Sequence, residues 1–549
     1  MAARMRPRLR VVLLLRSPLA PAWAADLACA LLATDDFDVA ALVVPHGSRA
    51  RPNSASGSTW LSGRIVAVCR SVGFEWKGPA RGPFALVDLR RVTPALRVDP
   101  LSLGCPGAPE TPIDVAVATD SSLAIEDYAD RGVHFRLGAW YSPQLDCPAR
   151  RAEFRGPSEA AGLHGLRQLA VTVSSVGGIP RCERQVMAAD VPLESPLITR
   201  NRAQAAWGAA SLLLAALEHA CRDDWTAPAE RPAKSPAWAA RPDEDPPSGS
   251  SAPLAGRPKL SSYAGRVAAS AVKRVALKRQ WLLAYHVGDA SPLAPAHDTR
   301  LLVPPADRYW ADPNVVFTAG EYHVFYEEFS YRSGKGHIST MRLGETGPLD
   351  ESRVALTSDC HLSYPFVFAF EGEWFMIPES SEARRIDIFR AEKFPVRWTL
   401  AATLMDHVRA VDTTVVEHEG RWWLYTTIRR LGGSSPLSHL YLFSADSPLS
   451  KAWEPHPMNP IASGAAGARA AGGIMKRNDR LIRPAQDSRL SYGRRIELSE
   501  IVTMTHDEYL ERPAGSLEPS PARGFIGLHT VSQAGNLTVV DLCRWRTRL

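Results

Sequence analysis

The eight cysteines of this chain, Cys29, Cys69, Cys105, Cys147, Cys182, Cys221, Cys360 and Cys543, never fall in a C-x-x-C pair. The common zinc knuckles and dithiol redox motifs are thereby excluded. Dispersed thiols, six of them before residue 223, predict free cysteines in a reducing compartment. Glycine-rich phosphate loops are missing too. The first candidate turn reads Arg16-Ser17-Pro18-Leu19-Ala20-Pro21 and holds no glycine, so nucleotide binding through a G-x-G-x-x-G or P-loop turn is not expected. No apolar run reaches the roughly 18 residues of a membrane span. Charge of one sign is scarce: Lys and Arg number 64 against 58 Asp and Glu, a formal +6 over 549 residues. The basic residues are scattered, which argues against nucleic acid as a partner.

What is present is a repeated phrase. Trp310-Ala311-Asp312-Pro313-Asn314-Val315-Val316-Phe317 leads to Gly320, and Ser363-Tyr364-Pro365-Phe366-Val367-Phe368 leads to Gly372. A third copy, Val411-Asp412-Thr413-Thr414-Val415-Val416, leads to Gly420. An aromatic strand follows each glycine, beginning at Tyr322, Trp374 and Trp422. Strand, tight turn and strand at a period of roughly 50 residues is the signature of propeller blades. Weaker copies begin at Gly472-Gly473-Ile474-Met475, with an Asn478-Asp479 turn, and at Gly527-Leu528-His529-Thr530-Val531. Five copies predict a five-bladed β-propeller over residues 285–549; a β-sandwich of regularly spaced hairpins is the alternative.

The first 222 residues read differently. Apolar strands are expected at 10–15, 39–44, 84–89, 113–118 and 169–174, with helices at 22–33 and 202–222. Alternation of this kind predicts a parallel sheet with covered faces, an α/β Rossmann-like domain. The run Val11–Leu15, behind basic residues and ahead of Ala22-Trp23-Ala24, has the flanks of a signal peptide. Five apolar residues fall short of the roughly 7–15 that such a core needs. A buried strand and a cytoplasmic protein are therefore expected. Residues 223–259, rich in Pro, Ala, Ser and acidic residues, read as a linker. Residues 260–284 read as a basic connecting helix and the first propeller strand. Within 263–279 the helix carries Arg266, Lys273, Arg274, Lys278 and Arg279 among apolar residues, which fits either a solvated face or contact with a membrane surface.

The repeat register nominates a site. Asp312, Tyr364 and Asp412 each lie eight residues before their blade's glycine. Glu327, Glu379 and Thr427 lie seven after it, with Gln486 and Asp487 near that place in the fourth copy and His529 entering from the fifth. Inner strands of a propeller line its channel, so these residues are expected to converge. Paired carboxylates are what glycoside chemistry needs, one activating a nucleophile and another protonating the leaving oxygen. Trp310, Tyr364 and Phe366 would stack on sugar rings. A carboxylate separation of about 5–10 Å with an open channel would permit hydrolysis; a wider gap or a plugged channel would favour glycan binding alone. No cofactor is required by these motifs. A central metal ion with His529 among its ligands is left open.

Trp310-Ala311-Asp312-Pro313, His361–Phe368, Ile377-Pro378-Glu379-Ser380, Asp412-Thr413-Thr414, Arg483-Pro484-Ala485-Gln486-Asp487 and Gly527-Leu528-His529-Thr530 together resemble the N-terminal propeller domain of plant glucosamine inositolphosphorylceramide transferases. The resemblance covers about residues 280–549. It implies a five-bladed propeller similar to the arabinanase and xylosidase glycosidases, with Asp312 as general base, a later-blade glutamate such as Glu379 as general acid, and Arg483, Gln486, Asp487 and His529 near a glycan or other sugar-containing ligand. Bacterial proteins with this propeller often carry a formyltransferase-like domain before it. The N-terminal region resembles a methionyl-tRNA or sugar formyltransferase only in outline. The place of its His-x-Ser-Leu-Leu-Pro phrase reads Leu137-Gly138-Ala139-Trp140-Tyr141-Ser142-Pro143, without a histidine. Phe154-Arg155-Gly156-Pro157 keeps a trace of the loop that follows, and His134 and His164 lack the motif. A degenerate scaffold is expected, with formyl transfer to an amino sugar as the competing reading.

Overall fold

The computed structural model describes residues 8–15, 19–43, 85–89, 97–100, 113–120, 123, 135–145, 168–177, 182–193, 197–222, 260–288, 299–432, 438–477 and 479–548. The 223–259 stretch, Phe154–Pro157, His134 and His164 lie outside them. Two compact units divide the described residues, one built mainly from residues up to 222 and the other from 268–429 and 438–548.

The first unit holds a seven-stranded sheet. Its order is 97–100, 37–43, 9–15, 115–118, 139–141, 168–177 and 182–192. Neighbours are parallel as far as 139–141, and the last two strands are antiparallel. Leu9–Leu15 is central, flanked by Phe37–Val43 and Val115–Ala118. A strand with parallel neighbours on both sides reads as a continuous apolar run, and Val11, Leu13 and Leu14 are fully buried. Helix α1 (Ala22–Leu32) follows it and α2 (Ile198–Arg222) follows the sheet. Two details depart from the pattern read in the sequence. Leu86–Asp88 pairs with Leu19–Pro21 in a separate ribbon. Cys182–Pro192 forms an unforeseen hairpin with Gln168–Gly177, its alternation blurred by polar residues on both faces.

The second unit is a five-bladed β-propeller. Blade I comprises 308–318, 321–330, 335–343 and 353–356; blade II comprises 363–370, 373–379, 386–393 and 397–405. Blade III runs through 410–418, 421–428, 438–445 and 454–455. Blade IV has a broken inner strand, 466–470 and 475–477, before 480–487, 495–504 and 509–517. Blade V joins the two ends of the unit: 525–527, 531–534 and 537–547 are completed by 277–287 and 300–302. Helix α3 (Leu260–Ala276) leads directly into that strand. Apolar seams seal each blade to the next. Phe325, Ile338, Val367 and Met376 lie between I and II, and Phe375, Ile377, Val415 and Leu424 between II and III. Tyr425, Leu442, Leu481 and Ile501 lie between III and IV. Leu282, Ile496 and Leu542 join IV to V, while Leu283, Tyr285, Val324 and Tyr326 join V to I. Each fully buried aliphatic or aromatic side chain contributes about 1.5–3 kcal/mol, so all five joints are cemented.

The hairpin turns explain the repeat. Ala319-Gly320, Glu371-Gly372 and Glu419-Gly420 have both residues at positive φ, the conformation of a two-residue I′ turn. The fourth copy hides its start. Its inner strand begins at Ala466, ahead of the Gly472-Gly473 read as its opening, and breaks at 471–474. There Tyr364 reaches over from blade II, its hydroxyl accepting the Gly472 N–H at 3.0 Å. Gly472 has φ 128°, and a Cβ on it would overlap the Val531 carbonyl. Gly472→Ala is therefore expected to destabilise by at least about 2 kcal/mol. Gly420→Ala meets open space and should cost only its backbone strain, about 1 kcal/mol; urea denaturation of both variants checks the difference.

Candidate functional site

One backbone device is built three times. Between Ala311↔Glu327 and Asn314↔Phe325 the inner strand carries two residues against one, and the same bulge sits between Ser363 and Phe366 and between Val411 and Thr414. The first bulged residue is Asp312, Tyr364 or Asp412, at φ 51°, 44° and 53°. Left-handed backbone at a non-glycine residue is costly and re-aims its side chain. The residue paired just before each bulge is Glu327, Glu379 or Thr427. Both nominated rings are thus structurally equivalent sets. In blade IV the bulge falls between Ala466 and Arg469, and glycine occupies its first place.

Asp312 donates its backbone N–H to Asp541 Oδ2 at 3.0 Å, and its Oδ1 accepts the Thr530 hydroxyl at 2.9 Å. His529 Nε2 lies 3.5 Å from that oxygen. Asp541, fully buried, also accepts the backbone N–H groups of His529 and Thr530, both at 2.9 Å. Its Oδ2 approaches His529 Nδ1 to 2.5 Å, a close ion-pair contact without hydrogen-bond alignment. Trp281 stacks on the imidazole at 4.1 Å and Tyr492 meets it edge-on at 5.5 Å. Burial favours neutral imidazole, but the charges of Asp541 and Asp312 outweigh it and raise the His529 pKa.

On the opposite side Arg469 grips Asp412, Nε to Oδ2 at 2.5 Å and Nη2 to Oδ1 at 3.4 Å. Its Nη2 stands 3.8 Å from Glu379 Oε2, and its guanidinium lies over the Tyr492 ring at 5.2 Å. Glu327 accepts from Tyr309 at 3.1 Å and faces His361 at 3.4 Å. Carboxyl groups outnumber cations here, and the pKa values of Asp312, Glu327 and Glu379 are raised. Asp312 is pushed up to about 6 by burial and by Asp541 and Asp412, against the pull of His529. Glu327 is raised well above the usual carboxylate range by burial and the Asp312 charge. Glu379 is raised likewise by burial and Asp412, with Arg469 opposing.

The remaining nominated residues have other partners. Trp310 leans on Tyr326 at 5.3 Å and donates to Glu328 at 3.2 Å. Arg483 donates to Glu511 at 2.7 Å and to the Gly467 carbonyl at 2.9 Å, bracing the blade IV bulge. Gln486 donates to the Ala470 carbonyl at 2.9 Å, leaving its buried Oε1 without a partner. Asp487 is ion-paired with Arg489 and Arg495, each at 2.9 Å, and its pKa is lowered: burial raises it, but these cations prevail. Phe366 packs against Gly473 and Phe368.

Sequence reading missed Arg469 and Asp541. The signal for Asp541 is a lone charge in the apolar strand Leu537–Leu542, which a buried position must satisfy. Arg469 was masked by the break in its strand. Asp312, His529 and Asp541 also bring ligand atoms within 4.8 Å of one another. Among them, both oxygens of Asp541 are already taken by N–H donors, as is Asp312 Oδ1 by a hydroxyl. These donors brace the two carboxylates into one buried group.

Residues 294–522 match the family model described as glucosamine inositolphosphorylceramide transferase 1, N-terminal. The proteins named glucosamine inositolphosphorylceramide transferase 1 of Oryza sativa subsp. japonica and Arabidopsis thaliana are each 34% identical over 206 residues, 37% of this chain and 27% of theirs. The chain thus spans about a quarter of the length of the curated relatives it matches. The propeller is similar to the N-terminal domain of those transferases. Among solved structures, the catalytic domain of Coprinopsis cinerea GH62 α-L-arabinofuranosidase aligns with TM-score 0.33 and 13% identity over 47% of this chain and 97% of its own.

A raised carboxyl pKa makes the folded protein bind more protons than the unfolded chain, so stability falls as pH rises from the unfolded value towards the folded one. Glu327→Gln removes this loss. The variant is expected to match the wild type near pH 4 and to melt higher than it at pH 7; thermal denaturation at both pH values checks it.

Proposed function

We propose that the propeller funnel binds and processes a glycan or glycoconjugate, with Asp312 as general base and Glu379 as general acid. The observation that supports this most is the difference in their surroundings: Asp312 faces His529 and is pushed up only to about 6, while burial and the Asp412 charge push Glu379 well above the usual carboxylate range. Two carboxyl groups whose surroundings set their pKa values apart are what acid–base glycosyl chemistry uses. Asp312 would take the proton of the attacking hydroxyl, and Glu379 would give one to the departing glycosidic oxygen. His529 and Thr530 hold the Asp312 carboxylate in place. The names of the plant relatives, glucosamine inositolphosphorylceramide transferases, fit a sugar-containing substrate.

A second reading, a glycan-binding module without turnover, draws on Arg469. Its guanidinium occupies Asp412 and stands beside Glu379, and Tyr364 spans the channel to Gly472. We further read the N-terminal sheet as a Rossmann-like scaffold related to formyltransferases but without their chemistry. Leu137–Pro143, where the catalytic histidine phrase would fall, contains Trp140 bonded to the Leu137 carbonyl.

A screen of glycoside and glycosyl-donor substrates, run on the wild type beside Asp312→Asn, separates the readings. The catalytic one expects turnover in the wild type that drops by about 10²–10⁴-fold in the variant, with binding retained. It also expects wild-type turnover to fall as pH drops through 6, where Asp312 takes up its proton. Glycan binding by both proteins without turnover in either leaves the funnel as a binding module.

A further inference from the structure

The propeller carries a basic and apolar surface that its funnel does not use. It is made by the C-terminal half of α3, the start of strand 277–287 and the end of strand 537–547, all within the propeller unit. Lys273, Arg274, Arg548 and the apolar Val272, Val275 and Trp545 are exposed, while Lys278, Arg279, Arg544 and Arg546 are half-buried. Val272 and Val275 stand 66% and 78% exposed, and Trp545 39%. Val272 and Val275 lie one helical turn apart, and Lys273 between them reaches the Trp545 ring.

The charges around these apolar groups are mainly positive; Asp307, near Lys278, is paired with Arg308. Lys273 and Arg279 sit over the Trp545 ring at 5.4 and 5.7 Å. Lys278 stands over Tyr331 at 4.4 Å and donates to the Ala306 carbonyl; Arg544 and Arg546 donate to Gln280. Among the described residues, no carboxylate comes within ion-pair distance of any of these seven cations. Buried polar partners do not need seven positive charges, whereas an external anionic surface does.

Position adds a further argument. In every blade the inner strand starts, and the second strand ends, on the side of the propeller where Asp312, Glu327 and Glu379 lie. In blade V that side holds the end of 537–547 and the start of 277–287. The basic surface therefore borders the mouth of the funnel.

We propose that this surface docks on an anionic lipid bilayer, with Trp545, Val272 and Val275 entering the headgroup region and the surrounding cations facing lipid phosphates. Exposed tryptophan beside lysine and arginine is suited to that interface. Docking would present the funnel mouth to groups carried at the membrane surface. The inference does not depend on the funnel being catalytic.

Vesicle co-sedimentation of the full chain tests it, with phosphatidylcholine vesicles that contain or lack phosphatidylserine. Binding is expected only with phosphatidylserine and should weaken with added salt. Each basic residue near such a surface is worth roughly a five-fold change in affinity. Lys273→Glu with Arg274→Glu should therefore lower binding by at least about 25-fold. Val272→Ser with Val275→Ser, at exposed positions where folding is untouched, should weaken vesicle binding and leave binding to heparin unchanged. Absence of binding to phosphatidylserine vesicles at low salt overturns the proposal. So does a valine double variant that binds vesicles as the wild type does, since that describes a general polyanion site.

Discussion

A single buried carboxylate ties the propeller's two ends to its funnel. Asp541 belongs to the last strand, yet it accepts the backbone N–H of Asp312 in the first blade and those of His529 and Thr530 in its own. A fully desolvated carboxylate is tolerable only with such a set of donors. Those donors come from the bulge that aims Asp312 inward and from the stretch 528–530 between two strands, which carries His529. The carboxylate thus fixes the backbone of blades I and V at the funnel, and the positions of Asp312 and His529 follow from it.

Repetition supplies the rest. The same two-against-one bulge in blades I, II and III sends a residue in left-handed conformation to equivalent places. Evolution of a repeat fold can fill such places independently; here they hold Asp, Tyr and Asp. Symmetry would crowd negative charge on the axis, and the departures from symmetry relieve it. Blade IV has glycine at the bulge and sends Arg469 to Asp412 instead. Blade V sends His529 to Asp312. What charge is left over, with burial, raises the pKa values of Glu327 and Glu379.

The parts legible in the sequence were those governed by short-range rules. Gly320, Gly372 and Gly420 mark I′ turns, and counting from them found Asp312, Tyr364, Asp412, Glu327 and Glu379 without any knowledge of packing. Counting failed where long-range packing overrides the period. Tyr364 enters blade IV at Gly472 and breaks its inner strand, which moved the apparent start of that copy and concealed Arg469. Arg483, Gln486 and Asp487 carry suitable chemistry, but their partners Glu511, Ala470, Arg489 and Arg495 are contacts that only the folded blade creates. In the N-terminal unit the apolar run 9–15 announced its own burial, whereas strand 182–192 has no such run to announce it.

The ring is closed by pairing its first strand with its last: Arg548 donates to the Leu277 carbonyl across 271 residues of chain. Contacts of such separation form late and slowly. A nascent propeller therefore carries Asp312, Glu327, Glu379 and Asp412 through most of its synthesis before Asp541 and His529 exist to organise them. The funnel's carboxylates are thus organised in one step, when strand 537–547 pairs with 277–287 and brings Asp541 and His529 to Asp312.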